Sequence, residues 1–179
     1  DAAGVKRTLD RMALEIIERN GGHDNLALVG IHSGGVPLAH RLNARIKSSL
    51  PVGMIDITLY RDDLRAIGPR PVIGVSVLPE GGVDDRAVVI VDDVLFTGRT
   101  IRAALNELTD WGRPARVSLC VLVDRGGREF PIQPNVVAKT VTVLPDQSVE
   151  VSVPDLDGRW GVEIVSISTE AEASTEAED

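Results

Sequence analysis

Three nearly uninterrupted aliphatic runs constrain this chain more than any other feature: LALVGI at 26–31, AVVIV at 87–91 and VSLCVLV at 117–123. A strand with one wet face alternates apolar and polar residues, whereas a strand covered on both faces reads as a continuous apolar run. Between these runs the pattern changes to a helical period. Val5, Leu9, Met12, Ala13, Ile16 and Ile17 form one stripe, stopped by Asn20-Gly21-Gly22. Leu38, Ala39, Leu42 and Ile46 form a second, broken at Pro51. Ile101, Ala104, Leu105, Leu108 and Trp111 form a third, with Gly112 as its stop. Buried strands alternating with helices predict an α/β fold with a mainly parallel central sheet flanked by helices. Weaker strand candidates are VGMIDITLY, NVVAKTV, VEVSV and GVEIVSI. The segment after Asp124 is expected to make a small C-terminal lobe over one edge of the sheet.

Composition narrows the class. With 43% hydrophobic but only 3% aromatic residues, the core must be aliphatic. Residues 1–168 are expected to form one domain. The net charge is −8, and the last ten residues, EAEASTEAED, hold five acids and no base. Residues 169–179 are therefore expected to be a disordered acidic tail. The remaining body is only mildly acidic, which gives no general nucleic-acid footprint, although a local basic patch is open. No apolar run has the length of a membrane span, and no basic-then-apolar leader opens the sequence. Cys120, inside VSLCVLV, is expected to be a buried thiol, which fits a cytoplasmic protein. Residues 61–86 carry several Pro and Gly and no helical period, and are expected to be an extended arm or a flexible loop.

The chemistry concentrates in VVIVDDVLFTGRT, 88–100. In parallel sheets ligands bind beyond the carboxyl ends of the strands, where Asp92 and Asp93 fall. Successive strand side chains face opposite ways, so both carboxylates are expected to serve one ligand only where strand geometry is breaking down. The loop from Val94 through Leu95, Phe96, Thr97, Gly98 and Arg99 enters a helix near Thr100. Unpaired amides at a helix start favour an anion, and Gly98 lets the backbone come close. Thr97 and Thr100 add hydroxyl donors. Carboxylates repel a phosphate at contact distance but accept from hydroxyls. The ligand so described has a phosphate at one end and a diol a few ångströms away, as a ribose 5-phosphate does. An isolated Asp-Asp pair would more simply be a turn cap and a solvated charge. The apolar strand before it and the helix behind it favour the ligand.

VVIVDDVLFTGRT resembles the phosphoribosyl-diphosphate (PRPP) motif of type I phosphoribosyltransferases. Together with DITLYRDDL, GRPA and VLVDRGGRE, in that order, it resembles the PyrR family of pyrimidine operon regulators, which double as uracil phosphoribosyltransferases. The likeness implies that Asp92 and Asp93 bind the ribose hydroxyls while Val94 to Thr100 wrap the 5-phosphate. It makes His32-Ser33-Gly34-Gly35 the pyrophosphate loop, with Ser33, Gly34 and Gly35 as its binding residues. Gly34 stands where the family often has Arg. The likeness also makes Tyr60-Arg61-Asp62-Asp63 the start of a loop that folds over PRPP, with Arg61 as a catalytic contact to pyrophosphate. It places Val123, Asp124 and Arg125 at the base, and Arg128 more loosely. No Cys and His spacing suggests a metal site, so Mg2+ is expected to arrive with PRPP or diphosphate.

Two functions of different kinds follow. One is transfer of a phosphoribosyl group to uracil, giving UMP and diphosphate. The other is a UMP-sensing attenuator that binds pyr leader RNA with little or no turnover. Another base as acceptor is a third reading. Lys6, Arg7, Arg11, Arg19, Arg113 and Arg116 are the candidates for an RNA-facing patch, and ordinary surface charges are the alternative. By likeness a homodimer or higher homo-oligomer is expected.

Overall fold

The computed structural model describes residues 2–46, 49–57 and 75–167. The elements are α1 (Ala2–Asn20), β1 (Leu26–Ile31), α2 (Gly35–Asn43), β2 (Val52–Ile55), β3 (Ala87–Leu95) and α3 (Arg99–Trp111), followed by β4 (Arg116–Asp124), β5 (Val136–Thr140), β6 (Gln147–Ser152), the single turn α4 (Pro154–Asp157) and β7 (Gly161–Ser166). Strands β1 to β5 form one parallel sheet in the order β2-β1-β3-β4-β5. The chain leaves β1 toward β2 on one side and later returns to lay β3 on the other. That reversal opens a crevice at the carboxyl ends of β1 and β3.

The continuous apolar runs are explained by what covers them. Leu28, Val89, Val91, Cys120 and Leu122 pack with Leu9, Met12, Ile16, Leu38 and Leu42 of α1 and α2. Val29, Ile31, Val88, Ile90 and Val121 point to the other face, against Ile101, Ala104 and Leu108 of α3. Each fully buried Leu or Ile contributes about 1.5–3 kcal/mol by leaving water. Cys120 lies wholly inside, as its apolar setting predicts. Burial pushes its thiol up to about 12, with the Glu15 charge adding and Arg11 opposing. Among the described residues no helix is long and apolar enough to cross a membrane.

Two boundaries differ from the sequence pattern. Helix α2 stops at Asn43, before Ile46 and well before Pro51. The Asn43 amide donates to the Leu50 carbonyl at 3.1 Å and accepts from the Leu50 N–H at 3.0 Å. This local exchange folds the chain back, and Ile46 is buried without being helical. Strand β2 ends at Ile55, short of the run VGMIDITLY, whose last three residues lie outside the described ones. Of the expected arm or loop at 61–86, only 75–86 is described. Its Val77 exchanges backbone hydrogen bonds with Met54, making an antiparallel bridge on the β2 edge.

Strands β6 and β7 pair antiparallel as a separate two-stranded sheet, the expected small lobe. Val149, Val151 and Trp160 pack it onto the α1–α2 side of the core. Arg41 of α2 grips the Asp155 carboxylate with contacts of 3.0–3.3 Å. The expected acidic tail lies outside the described residues.

Candidate active site

Strand β3 does not break down at its acids. It runs on to Leu95 because β4 extends beside it, pairing Val94 with Val123 and Leu95 with Asp124. Both carboxylates nevertheless line one cleft, which lies across the end of the strand. Each is oriented by the next amide: Asp93 N–H donates to Asp92 Oδ1 at 3.0 Å, and Val94 N–H to Asp93 Oδ1 at 2.8 Å. Asp92 is buried and Asp93 half-buried.

Beyond β3, Phe96 and Thr97 lead to Gly98, the α3 N-cap, whose φ of 89° is left-handed. Gly98 brings no capping side chain, so the helix start at the cleft edge suits an anion cradle. Thr97 Oγ accepts weakly from the Arg99 N–H at 3.3 Å. Thr97, Gly98 and Thr100 line the cleft with the two acids. Arg99 turns outward instead, to Glu129 at 2.6 Å and toward the Phe130 ring.

The cradle is braced from behind by the segment after β4. The Thr97 carbonyl accepts from Glu129 N–H (2.9 Å) and Phe130 N–H (3.0 Å). Arg128 donates to the carbonyls of Phe96 (2.8 Å) and Ile132 (2.8 Å) and to Asp124 Oδ2 (2.6 Å). The Asp124–Arg128 pair is largely buried, so Arg128 is a structural brace rather than an exposed ion-pair partner. Burial pushes the Asp124 carboxyl up, but the Arg128 hydrogen bond, the Gly126 amide and the Arg128 charge outweigh it. The carboxyl is held below its ordinary value.

Of the three residues expected at the base, only Arg125 lines the cleft. Val123 sits inside the sheet between β3 and β5. The Asp124 carbonyl accepts from Val141 N–H, and Arg125 N–H donates to Leu95. The Arg125 guanidinium lies 4.0 Å from the centre of the Phe96 ring and donates to the Gln147 carbonyl at 2.9 Å. Ser148 and Val149 of β6 complete the cleft wall, and sequence reasoning missed them. VEVSV signals a strand, and nothing local says that it returns to the end of β3. The cleft encloses about 440 Å³.

The turn from β1 to α2 adjoins the cleft through Asp93. A Cβ on Gly34 would collide with the Asp93 carboxylate, and one on Gly35 with the Val91 carbonyl. This close approach explains the glycine pair and brings Ser33 to Gly35 beside the acids. The His32–Ser33 peptide is cis. Arg61, Asp62 and Asp63 lie outside the described residues. Among the described residues no three His, Cys, Asp or Glu side chains converge on a metal position. Two adjacent carboxylates suit a magnesium ion that keeps its other contacts to substrate oxygens and water; they do not make an all-protein cage.

Several of the basic residues considered for RNA are occupied within the fold. Arg11 bonds Glu15 and the Val137 and Ala138 carbonyls, Arg19 bonds Glu15, and Arg116 bonds Asn20.

Comparison with known proteins agrees with this fold. The phosphoribosyl transferase domain model matches residues 1–157. The bifunctional protein PyrR of Herpetosiphon aurantiacus is 54% identical over 157 residues, covering 86% of this chain and 87% of that one. That of Thermus aquaticus is 49% identical over 168 residues, covering 92% of each. In three dimensions the chain is similar to a hypoxanthine phosphoribosyltransferase from Staphylococcus aureus, with TM-score 0.66 and 19% identity over 95% of this chain and 91% of that one.

Proposed function

The chain belongs to the phosphoribosyl transferase family, in its PyrR branch, and from that premise we propose that it converts uracil and PRPP to UMP and diphosphate. The observation that carries this reading is the cleft itself: paired carboxylates at the end of β3 beside the Gly98-capped start of α3. Asp92 and Asp93 accept from the ribose hydroxyls. The amides and hydroxyls of Thr97 to Thr100 hold the 5-phosphate, a fixed distance away on the same loop. Arg125, spread on Phe96, borders the space left for the base.

The reaction breaks the bond from the anomeric carbon to diphosphate and makes one to the uracil nitrogen, which loses its proton. Positive charge develops on the ribose, and the neighbouring carboxylates oppose it favourably while holding the ring in place. Diphosphate departs toward the Ser33–Gly35 turn, whose main-chain amides suit an anion. Asp92 or Asp93 would help hold a magnesium ion arriving with the substrate, which would supply neutralisation of the leaving group's charge. Arg61 and its loop would cover the site and keep water out.

We extend the reading to UMP-dependent binding of pyr leader RNA in the cytoplasm. The relatives' name, bifunctional, supports a second activity. Exposed Lys6 and Arg7 on α1 are then better contacts than Arg11 or Arg19, which the fold already uses. The test is UMP formation by purified protein given PRPP, magnesium and a panel of bases. Turnover with hypoxanthine or orotate but not uracil would overturn the uracil assignment. Salt-dependent, UMP-stimulated binding of leader RNA checks the second activity.

A further inference from the structure

The outer strand of the small lobe is open along its length. Among the described residues β7 pairs with β6 and with nothing on its other side. The Ile167 N–H donates to the Asp146 carbonyl at 2.6 Å, which sets the phase of the ladder. Backbone groups in an antiparallel pair alternate between facing the neighbour and facing away. Those of Val162, Ile164 and Ser166 therefore point outward. The side chains follow the same edge. Val149 and Val151 pack on the core, and their direct cross-strand partners, Ile164 and Val162, share that face. These two overhang the core and are 49% and 41% exposed. Edge strands are commonly blunted by Lys, Pro or a bulge. Gly161–Ser166 holds no Lys or Pro, and its ladder is regular over six pairs. Its single charge, Glu163, is on the opposite face, tied to Arg159 at 3.0 Å.

We propose that β7 is an interface between two copies of this chain, pairing antiparallel with the partner's β7 about a two-fold axis at Ile164. A two-fold interface must complement itself. Centred on Ile164, the outward groups of Val162 meet those of the partner's Ser166, and Ile164 meets the partner's Ile164. The apolar strip then runs unbroken from one hairpin to the other. Centred one residue earlier, Glu163 would oppose the partner's Glu163, a like-charge pair. Centred one residue later, Val162 would fall opposite position 168, past the end of the strand. The result is a four-stranded sheet, β6-β7 of one copy continued by β7-β6 of the other. Ser148 and Val149 of β6 line the cleft, so this sheet joins the walls of two clefts. A six-residue edge is small beside the roughly 1,200–2,000 Å² of a stable interface, so this contact alone is weak and grows with concentration.

The experiment is oxidative cross-linking of the whole protein carrying Ile164→Cys or Val165→Cys. A directly opposed, hydrogen-bonded pair has Cα atoms about 5.5 Å apart, within reach of a disulfide. Position 165 would lie opposite the partner's Glu163, which puts its two copies more than about 7 Å apart. Cys120 is enclosed and stays silent in native protein. Ile164→Cys is expected to give disulfide-linked dimers and Val165→Cys to give none. In sedimentation equilibrium the wild-type mass should climb toward twice its dilute value as concentration rises. Ile164→Lys should lose that climb, while Leu156→Lys, exposed but away from the edge, should keep it. Thermal unfolding at the dilute end should match wild type in both, which separates association from folding. Cross-linking at position 165 in place of 164, no cross-linking at either, a flat wild-type mass, or an undiminished climb in Ile164→Lys would overturn the proposal.

Discussion

The turn after β3 and the turn after β1 each lead a buried strand into a helix through glycine, at neighbouring places on the sheet edge, yet they are held in different ways. The first is braced by a second layer: Arg128 reaches four partners, and the Thr97 carbonyl takes two amides from 129 and 130. The second is shaped by close approach, with Gly34 and Gly35 pressed against Asp93 and the β3 backbone. A braced cradle suits a phosphate that stays on the substrate from start to finish. A thin turn pressed onto the acids by its two glycines suits a group that must leave.

The shared point of the two turns is the acid pair, and removing it should have the largest effect. Asp92→Asn with Asp93→Asn is expected to lower kcat/KM for UMP formation by on the order of a hundred- to ten-thousandfold, at about 1.5–3 kcal/mol per charged hydrogen bond. Circular dichroism should show the fold retained. A loss of only about threefold would end the ribose assignment.

Next comes the brace. Arg128→Met leaves Asp124 enclosed without its partner and should cost about 3 kcal/mol in urea unfolding. The pH dependence gives the sign. Asp124 is held below its ordinary value, so its contribution is full above the unfolded carboxylate range, about pH 4, and fades as pH falls through the lower folded value. The gap between wild-type and Arg128→Met stability should therefore narrow in acid. A gap that stays constant with pH would show that Arg128 acts only through its carbonyl partners.

The thin turn should respond in function more than in stability. Gly34→Ala drives a methyl group into Asp93, and the acid can relieve the clash by swinging into the cleft. PRPP affinity is expected to fall about tenfold, while the unfolding midpoint moves by less than an unrelieved overpacking of about 1–3 kcal/mol would give. The smallest change is Gly98→Ala, which asks a side chain to adopt φ of 89° beside the Phe130 Cβ. About 1 kcal/mol of stability should be lost, with UMP weakened more than diphosphate. Equal weakening of both ligands by either glycine variant would erase the distinction between the two turns.

The sheet was legible because its central strands are covered on both faces, and sequence shows that directly as LALVGI, AVVIV and VSLCVLV. Asp92, Asp93 and the Thr97–Thr100 turn were legible for the opposite reason: nothing in a packed strand end calls for them. What the sequence concealed depends on distant partners. The continuation of β3 through its acids is supplied by β4, which lies more than twenty residues further on. The early stop of α2 rests on one Asn43 side chain reaching Leu50. Arg128 looks like a surface charge until Asp124 and the Phe96 carbonyl close around it. Ser148 and Val149 reach the cleft through a hairpin whose placement depends on Trp160 packing and the Arg41–Asp155 grip.

The sulfhydryl at position 120 sits in mid-sheet, fully enclosed and with its proton held until about pH 12. Alkylating reagents attack thiolates, so the native molecule offers them neither access nor a nucleophile. Only chains in which α1 and α2 have lifted from the sheet, or the sheet itself has opened, become labelled. With a single cysteine in the sequence, the pace of labelling is a built-in clock for opening of this side of the core, and bound nucleotide should slow it.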